Sequence, residues 1–125
     1  MKVIKRFFKS FFYALSGIRA AFLTEQSFRL HLLAMVVALA IGLYSGISLP
    51  SWGIVILAIG VVLAAELFNT ALERLGDGLA GGSYNEFVKR AKDLSAAAVL
   101  VTAAAALAVG IIFLLVPFVQ KVFGT

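Results

Sequence analysis

The sequence predicts an all-α integral membrane protein: an N-terminal amphipathic surface helix followed by three transmembrane helices. Three observations carry this. The 125 residues are 62 % hydrophobic, well above the roughly half expected of a soluble domain. The excess falls in long uninterrupted blocks of bilayer-spanning length rather than being spread as a core would be. Ten of the 11 lysines and arginines lie before or at the start of the first block, or between the second and third.

Length and composition also exclude. One small helical domain, residues 1–125, is all this chain can build. It has no cysteines, hence no disulfide framework, thiol chemistry or cysteine metal site. The net charge is +5, but the basic residues flank the apolar blocks. Anionic headgroups are their nearer partner, and no nucleic-acid partner is expected.

The first element, about 3–23, alternates Lys2, Lys5, Arg6, Lys9 and Arg19 with apolar residues such as Ile4, Phe7, Phe8, Phe11 and Phe12. Apolar spacing of three and four suits a helix lying in the interface, its aromatics in the acyl boundary. A signal peptide fits poorly, because charge interrupts the apolar stretch and no cleavage pattern follows a compact apolar core. Gly17 is a candidate bend. Thr24 or Ser27 is expected to cap the next helix, with Glu25 favoured by its dipole.

The first span is about 29–45, with Arg29 snorkelling to the headgroups and His31 the one polar interruption. Gly46 and Pro50 mark a short turn. Trp52 opens the second span at the opposite interface, about 53–75. A polar, glycine-rich loop is expected from Gly76 to Lys92, with a short helix from Asn85 onward and Ser83 and Glu86 as a capping box. The third span, about 95–117, is alanine-rich and suited to close packing. A tail from Phe118 to Thr125 follows. The basic residues place the N-terminus and the Gly76–Lys92 loop on the cytoplasmic side.

The chemistry concentrates in Ala64–Asp77, AAELFNTALERLGD. Side chains recur every ~3.6 residues on a helix, so Glu66, Glu73 and Asp77 fall in one stripe with Asn69 beside it. An acid at a span's centre costs about 3 kcal/mol, which makes Glu66 a functional candidate. Structural roles are the alternative: Glu73 paired with Arg74, or Glu66 bound to a lysine on another helix. A buried Glu66 suits a general base. Glu25 and Glu73 suit Mg²⁺, which takes oxygen ligands together with phosphate. Arg6 and Lys92 can neutralise phosphate oxygens. These are the parts that phosphoryl transfer needs. The Gly76–Gly82 run lacks the Gly-Lys-Ser/Thr ending of a P-loop.

Glu66–Glu73, ELFNTALE, and Arg90–Leu100, RAKDLSAAAVL, with GIRAAFLTEQSFR at Gly17–Arg29, resemble the bacterial diacylglycerol kinase and undecaprenol kinase family. The resemblance runs from roughly Arg6 to Leu100. It implies a three-span homotrimer of the inner membrane, moving the γ-phosphate of ATP to a lipid hydroxyl at the cytoplasmic face, with sites shared between protomers. By resemblance Glu66 is the general base, supported by Asn69 and Asp77. Glu25 and Glu73 bind the metal. Arg6, Tyr13, Glu25, Glu73, Ser83, Tyr84, Asn85, Lys92 and Asp93 hold ATP, and Glu66 and Ala96 stand at the lipid site. The Glu73–Lys92 segment is one residue longer than in the enterobacterial diacylglycerol kinases. His31 and Ala96, where those enzymes carry an acid and a serine, resemble the undecaprenol kinases more. Undecaprenol is therefore the expected acceptor, with diacylglycerol as the alternative. His31 itself reads as a headgroup-level or helix-bonding histidine. A reading from another class is a small oligomeric cation or proton channel with a carboxylate ring. It leaves Asn69, the Lys92–Asp93 pair and the polar loop without a role.

Overall fold

A computed structural model describes residues 1–124; Thr125, the last residue of the predicted tail, lies outside them. Four helices follow one another: α1 (Lys2–Thr24), α2 (Gln26–Ser45), α3 (Leu49–Ala80) and α4 (Glu86–Phe123). The last three are long and apolar enough to cross a bilayer, so the chain is an all-α membrane protein.

Helix α1 runs unbroken through Gly17. It packs only near its C-terminal end, where Ala21 is buried, and leaves Phe7, Phe8, Phe11 and Phe12 exposed. The corner into α2 is made at Glu25, which is extended (φ −107°, ψ 113°) and stands at the N-cap without a side-chain cap bond. Neither expected cap forms. The Thr24 hydroxyl lies against the Ala20 carbonyl and Glu25, while Ser27 faces α3. Arg29 is exposed at the start of α2 and bonds back to α1. Its Nη1 donates to the carbonyls of Phe22 at 2.8 Å and Leu23 at 3.3 Å. The last carbonyls of α1 have no partner within the helix, and the guanidinium supplies one.

The α2–α3 turn uses Gly46 at φ 65°, and Ser48 caps α3 through the amide of Ser51. Helix α3 therefore starts at Leu49, ahead of Trp52. Pro50 is tolerated in the first turn because an amide there has no helical acceptor. The indole of Trp52 lies so close to Gly42 that a Cβ on Gly42 would stand 2.7 Å from the ring.

The largest departure from expectation comes next. Helix α3 does not end near Leu75 but continues through Gly76 and Gly78 to Ala80. The absence of a side chain at Gly76 lets Val88 of α4 press against the α3 backbone; a Cβ there would stand 2.9 Å from Val88 Cγ1. Packing against α4 overrides the weak helix propensity of glycine. The loop shrinks to residues 81–85, turned by Gly81 and Gly82 at positive φ. The predicted capping box is absent. Asn85 caps α4, its Oδ1 accepting from the Val88 amide at 3.1 Å. Ser83 bonds back to Ala80, and Glu86 pairs with Arg90.

Helix α4 is α-helical over Glu86–Gly110, widens to a π-helical turn over Ile111–Leu115, and resumes as Val116–Phe123. The wide turn ends two residues before Pro117, which has no amide to donate and would crowd the carbonyl four residues back. It lets the helix pass the proline and continue beyond the predicted end of the span. Lys121 near the far end bonds the Tyr44 carbonyl and lies over the Tyr44 ring.

Helices α3 and α4 make the most extensive packing in the fold. Their tight contact is at the Gly76–Val88 end. Farther along, α2, α3 and α4 line a half-open apolar trough of about 450 Å³ that runs from His31 to Leu114. In the alanine-rich part of α4, Ala96, Ala97 and Ala98 are exposed within the single protomer.

Candidate active site

Val62, Glu66 and Thr70 follow at intervals of four on α3 and are all buried. That spacing keeps one face turned inward, so Glu66 is buried by its register. It is 2 % exposed. Helix α2 meets it with two residues that are themselves four apart. Ser27 Oγ donates to Glu66 Oε2 at 3.0 Å, and His31 Nδ1 lies 2.9 Å from Oε1. Each carboxylate oxygen thus has its own partner on α2. No lysine is involved.

One turn along α3, Asn69 Nδ2 donates to Glu73 Oε1 at 3.2 Å. The Asn69 carbonyl accepts from Ser95 Oγ of α4 at 2.7 Å. Ser95 is buried and also lies 2.8 Å from the Lys92 carbonyl, so its single proton serves one acceptor at a time. A further turn along, Asp77 Oδ1 accepts from Lys92 Nζ at 2.7 Å. Lys92 precedes the apolar run of α4. Its hydrogen bond to Asp77 raises its affinity for a proton above that of an ordinary lysine, so it stays cationic. Lys92 therefore pairs with Asp77 and not with Asp93, which takes Lys89 at 2.6 Å.

Glu25 belongs to a separate contact at the helix corner. Arg74 of α3 reaches Glu25 Oε1 at 3.4 Å and bonds Thr24. Arg74 therefore binds Glu25 in preference to its neighbour Glu73. From Glu66 to Asp77 these groups descend α3 over about 16 Å, at ~1.5 Å per residue. They form a ladder running from the apolar interior to the polar end of the helix.

The remaining candidates lie apart from this ladder. Arg6 and Tyr13 are exposed on α1 and make no side-chain hydrogen bond or ion pair among the described residues. Ser83, Tyr84 and Asn85 lie exposed in the α3–α4 loop, and Ala96 is exposed on α4. Ser27, Thr24 and Ser95, which the sequence reading did not single out as site residues, join the acids to other helices. Their signal was spacing: Ser27 lies one turn before His31, and Ser95 three residues after Lys92.

Among the described residues no three acidic or imidazole side chains cluster as a complete metal cage. Glu25 and Glu73 offer carboxylate oxygens at the polar end. The two are held in different contacts, Glu25 by Arg74 and Glu73 by Asn69; each is an oxygen ligand of the kind Mg²⁺ takes together with water and phosphate. The ladder as a whole offers a buried carboxylate for a proton, acids for a metal and a fixed cation for phosphate charge.

The chain matches the family model described as "Prokaryotic diacylglycerol kinase" over residues 12–114. It is 40 % identical over 113 residues to a diacylglycerol kinase of Synechocystis, which covers 89 % of this chain but only 63 % of that longer protein. It is 37 % identical over 112 residues to the undecaprenol kinase of Bacillus subtilis, covering 90 % of each. Identity to the diacylglycerol kinase of Escherichia coli is 32 % over 96 residues, or 77 % of this chain and 78 % of that one. On this match and these identities, the chain belongs to the prokaryotic diacylglycerol kinase family of membrane lipid kinases.

Proposed function

We propose that the protein transfers the γ-phosphate of ATP to the primary hydroxyl of undecaprenol at the cytoplasmic face of the bacterial inner membrane, giving undecaprenyl phosphate. The alternative acceptor is diacylglycerol. The carrying observation is Glu66: a carboxylate buried within a span, its two oxygens held by Ser27 and His31. An acid so placed is costly and is suited to take part in removing a proton from a lipid hydroxyl at the same depth. The choice of undecaprenol is supported by His31 and Ala96, and by 90 % mutual coverage with the Bacillus subtilis undecaprenol kinase.

In this reading Glu66 is the general base. Asn69 and Asp77 support it, Asn69 by orienting Glu73 and Asp77 by fixing Lys92. Glu25 and Glu73 hold Mg²⁺, which when bound screens the β- and γ-phosphates. The Lys92 ammonium offsets charge that develops on the transferred group. Arg6, Tyr13, Ser83, Tyr84, Asn85 and Asp93 contact the nucleotide. Arg6 and Tyr13 lie away from the ladder within one protomer, which supports a site completed by a neighbour in a homotrimer. Helix α1 lies on the membrane surface, with its exposed phenylalanines in lipid. The basic residues collected at the ladder end of the spans support a cytoplasmic site.

The test is phosphate transfer. Purified protein in mixed micelles, with Mg²⁺ and labelled ATP, is offered undecaprenol and diacylglycerol side by side. Faster labelling of undecaprenol is expected. Faster labelling of diacylglycerol would reverse the substrate assignment. No label in either lipid, from folded and oligomeric protein, would sink the kinase reading.

A further inference from the structure

We propose that His31 and Glu66 act as one base, in which His31 Nε2 takes the proton of the attacking lipid hydroxyl while Glu66 orients the ring. This rests on the lipid kinase reading and refines the part that Glu66 plays in it.

The argument starts from access. The Glu66 side chain is 3 % exposed, and each of its oxygens already faces a group on α2, whereas the His31 side chain is 27 % exposed. The ring's two nitrogens differ. Nδ1 is buried and has no partner other than the carboxylate beside it. The contact is short without being in line for a straight N–H···O bond. The arrangement that satisfies both buried groups has a proton on one of the two facing atoms. With Glu66 ionised, that proton is on Nδ1. The lone pair of the neutral ring is then on Nε2, at the opposite and accessible edge.

A second observation concerns where that edge leads. The trough between α2, α3 and α4 is lined by Ala34, Met35, Ala38, Val62, Leu107 and other apolar residues, and His31 is its one polar lining residue. Glu66 does not line it. A lipid chain lying in this apolar trough therefore presents its terminal hydroxyl to the imidazole and not to the carboxylate. The ring has few electrostatic neighbours. Glu66 is its one charged contact among the described residues. Helix α4 faces the trough only with apolar side chains, such as Ala103 and Ala106. The acids and cations nearer the polar end are committed elsewhere: Glu73 to Asn69, Asp77 to Lys92, and Glu25 to Arg74.

The step balances as follows. The lipid oxygen forms a bond to the γ-phosphorus as the bond from that phosphorus to the β,γ-bridging oxygen breaks, and ADP carries away the electron pair. The hydroxyl proton goes to Nε2. The resulting imidazolium is stabilised by the Glu66 carboxylate on Nδ1–H, and release of the Nε2 proton to water restores the ring. This is the division of labour of a nucleophile, a histidine and an orienting acid, here applied to a substrate hydroxyl.

The experiment compares wild-type, His31→Ala, His31→Gln and Glu66→Gln full-length protein in micelles, using labelled ATP and whichever of the two lipids wild type phosphorylates faster. Circular dichroism and oligomer size establish that each variant is folded. Loss of general-base catalysis is expected to lower kcat about 100-fold in both His31 variants, with the KM for ATP little changed. Added imidazole should restore part of the activity of His31→Ala. The acid limb of the wild-type pH–rate profile should be absent from His31→Gln, which retains a polar amide and keeps the proposal testable if the alanine variant misfolds. Near-wild-type kcat in His31→Gln, with Glu66→Gln inactive, would return the proton to Glu66 and overturn the proposal. Loss in both His31 variants with no imidazole rescue and an intact acid limb would mean a structural role, and would also overturn it. A wild-type protein that labels neither lipid fails the kinase reading itself, an outcome distinct from failure of the pair.

Discussion

Ser95 Oγ on α4 lies 2.7 Å from Asn69 Oδ1 on α3, and this contact decides which end of the Asn69 amide faces Glu73. With its carbonyl occupied by Ser95, Asn69 turns its NH₂ group to the Glu73 carboxylate. A side chain of α4 thus sets the orientation of an acid on α3 that it does not touch. Ser95→Ala removes the donor and leaves a half-buried amide carbonyl unpaired, at a cost of about 1 kcal/mol. The expected result is a modest loss of thermal stability, together with a lower kcat at limiting Mg²⁺ that recovers at high Mg²⁺. Denaturation and metal titration on the same preparation check both. An unchanged metal response would show that Asn69 holds its orientation without Ser95.

Glu66→Gln is expected to stop turnover. The amide has the size of the acid and can still bond Ser27 and His31, so packing is preserved while the negative charge is lost. Whether the proton goes to the carboxylate or to the ring that it orients, loss should be about 100-fold or more. Nucleotide binding should be largely intact, because Glu66 lies at the apolar end of the ladder. Labelled-lipid formation and binding of a fluorescent ATP analogue separate the two effects. Near-normal turnover would remove Glu66 from the mechanism.

The spans were legible because their signal is cumulative: a bilayer-length apolar run survives an error of a few residues. The acid stripe was legible for a similar reason, since helical periodicity alone places Glu66, Glu73 and Asp77 together. The end of α3 was not. Gly76, Gly78, Gly81 and Gly82 have the same local propensity, yet the first two lie inside the helix and the last two turn the chain. What separates them is Val88, twelve residues farther on, packing into the gap at Gly76. The partners of the charges were hidden likewise. Arg74 is next to Glu73 in sequence but bonds Glu25, because adjacent residues on a helix point in different directions. Lys92 is next to Asp93 but bonds Asp77 for the same reason. The Asn85 cap was missed because Ser83 followed by Glu86 imitates a capping box, while the Ser83 hydroxyl is used by the Ala80 carbonyl.

Glu73→Gln is expected to raise the Mg²⁺ requirement. Gln keeps an Oε1 for the Asn69 bond, so the substitution isolates the loss of charge. Loss of even a supporting partner of a metal ligand costs about 10-fold or more in metal affinity, and loss of a ligand's charge should cost at least as much. The activity midpoint should move to higher Mg²⁺ by that factor, with kcat at saturating metal falling less. An unchanged titration would exclude Glu73 as a ligand.

Gly76 tests whether helix contact positions the cation. A Cβ there would stand 2.9 Å from Val88 Cγ1 and 3.5 Å from Lys92 Cδ. Gly76→Ala gains up to about 1 kcal/mol in helix propensity but meets a clash of a kind that costs about 1–3 kcal/mol. The net is expected to be destabilising. Because Val88 and Lys92 are one turn apart on α4, pushing Val88 away also draws Lys92 from Asp77. The KM for ATP should rise along with the loss of stability. Two controls make the mechanism specific. Gly78→Ala meets nothing within 4 Å and should be neutral or stabilising. Val88→Ala removes the opposing methyl, so the Gly76→Ala, Val88→Ala double variant should recover part of the ATP affinity lost in Gly76→Ala alone. Additive losses in the double variant would mean that the two residues do not act through their contact.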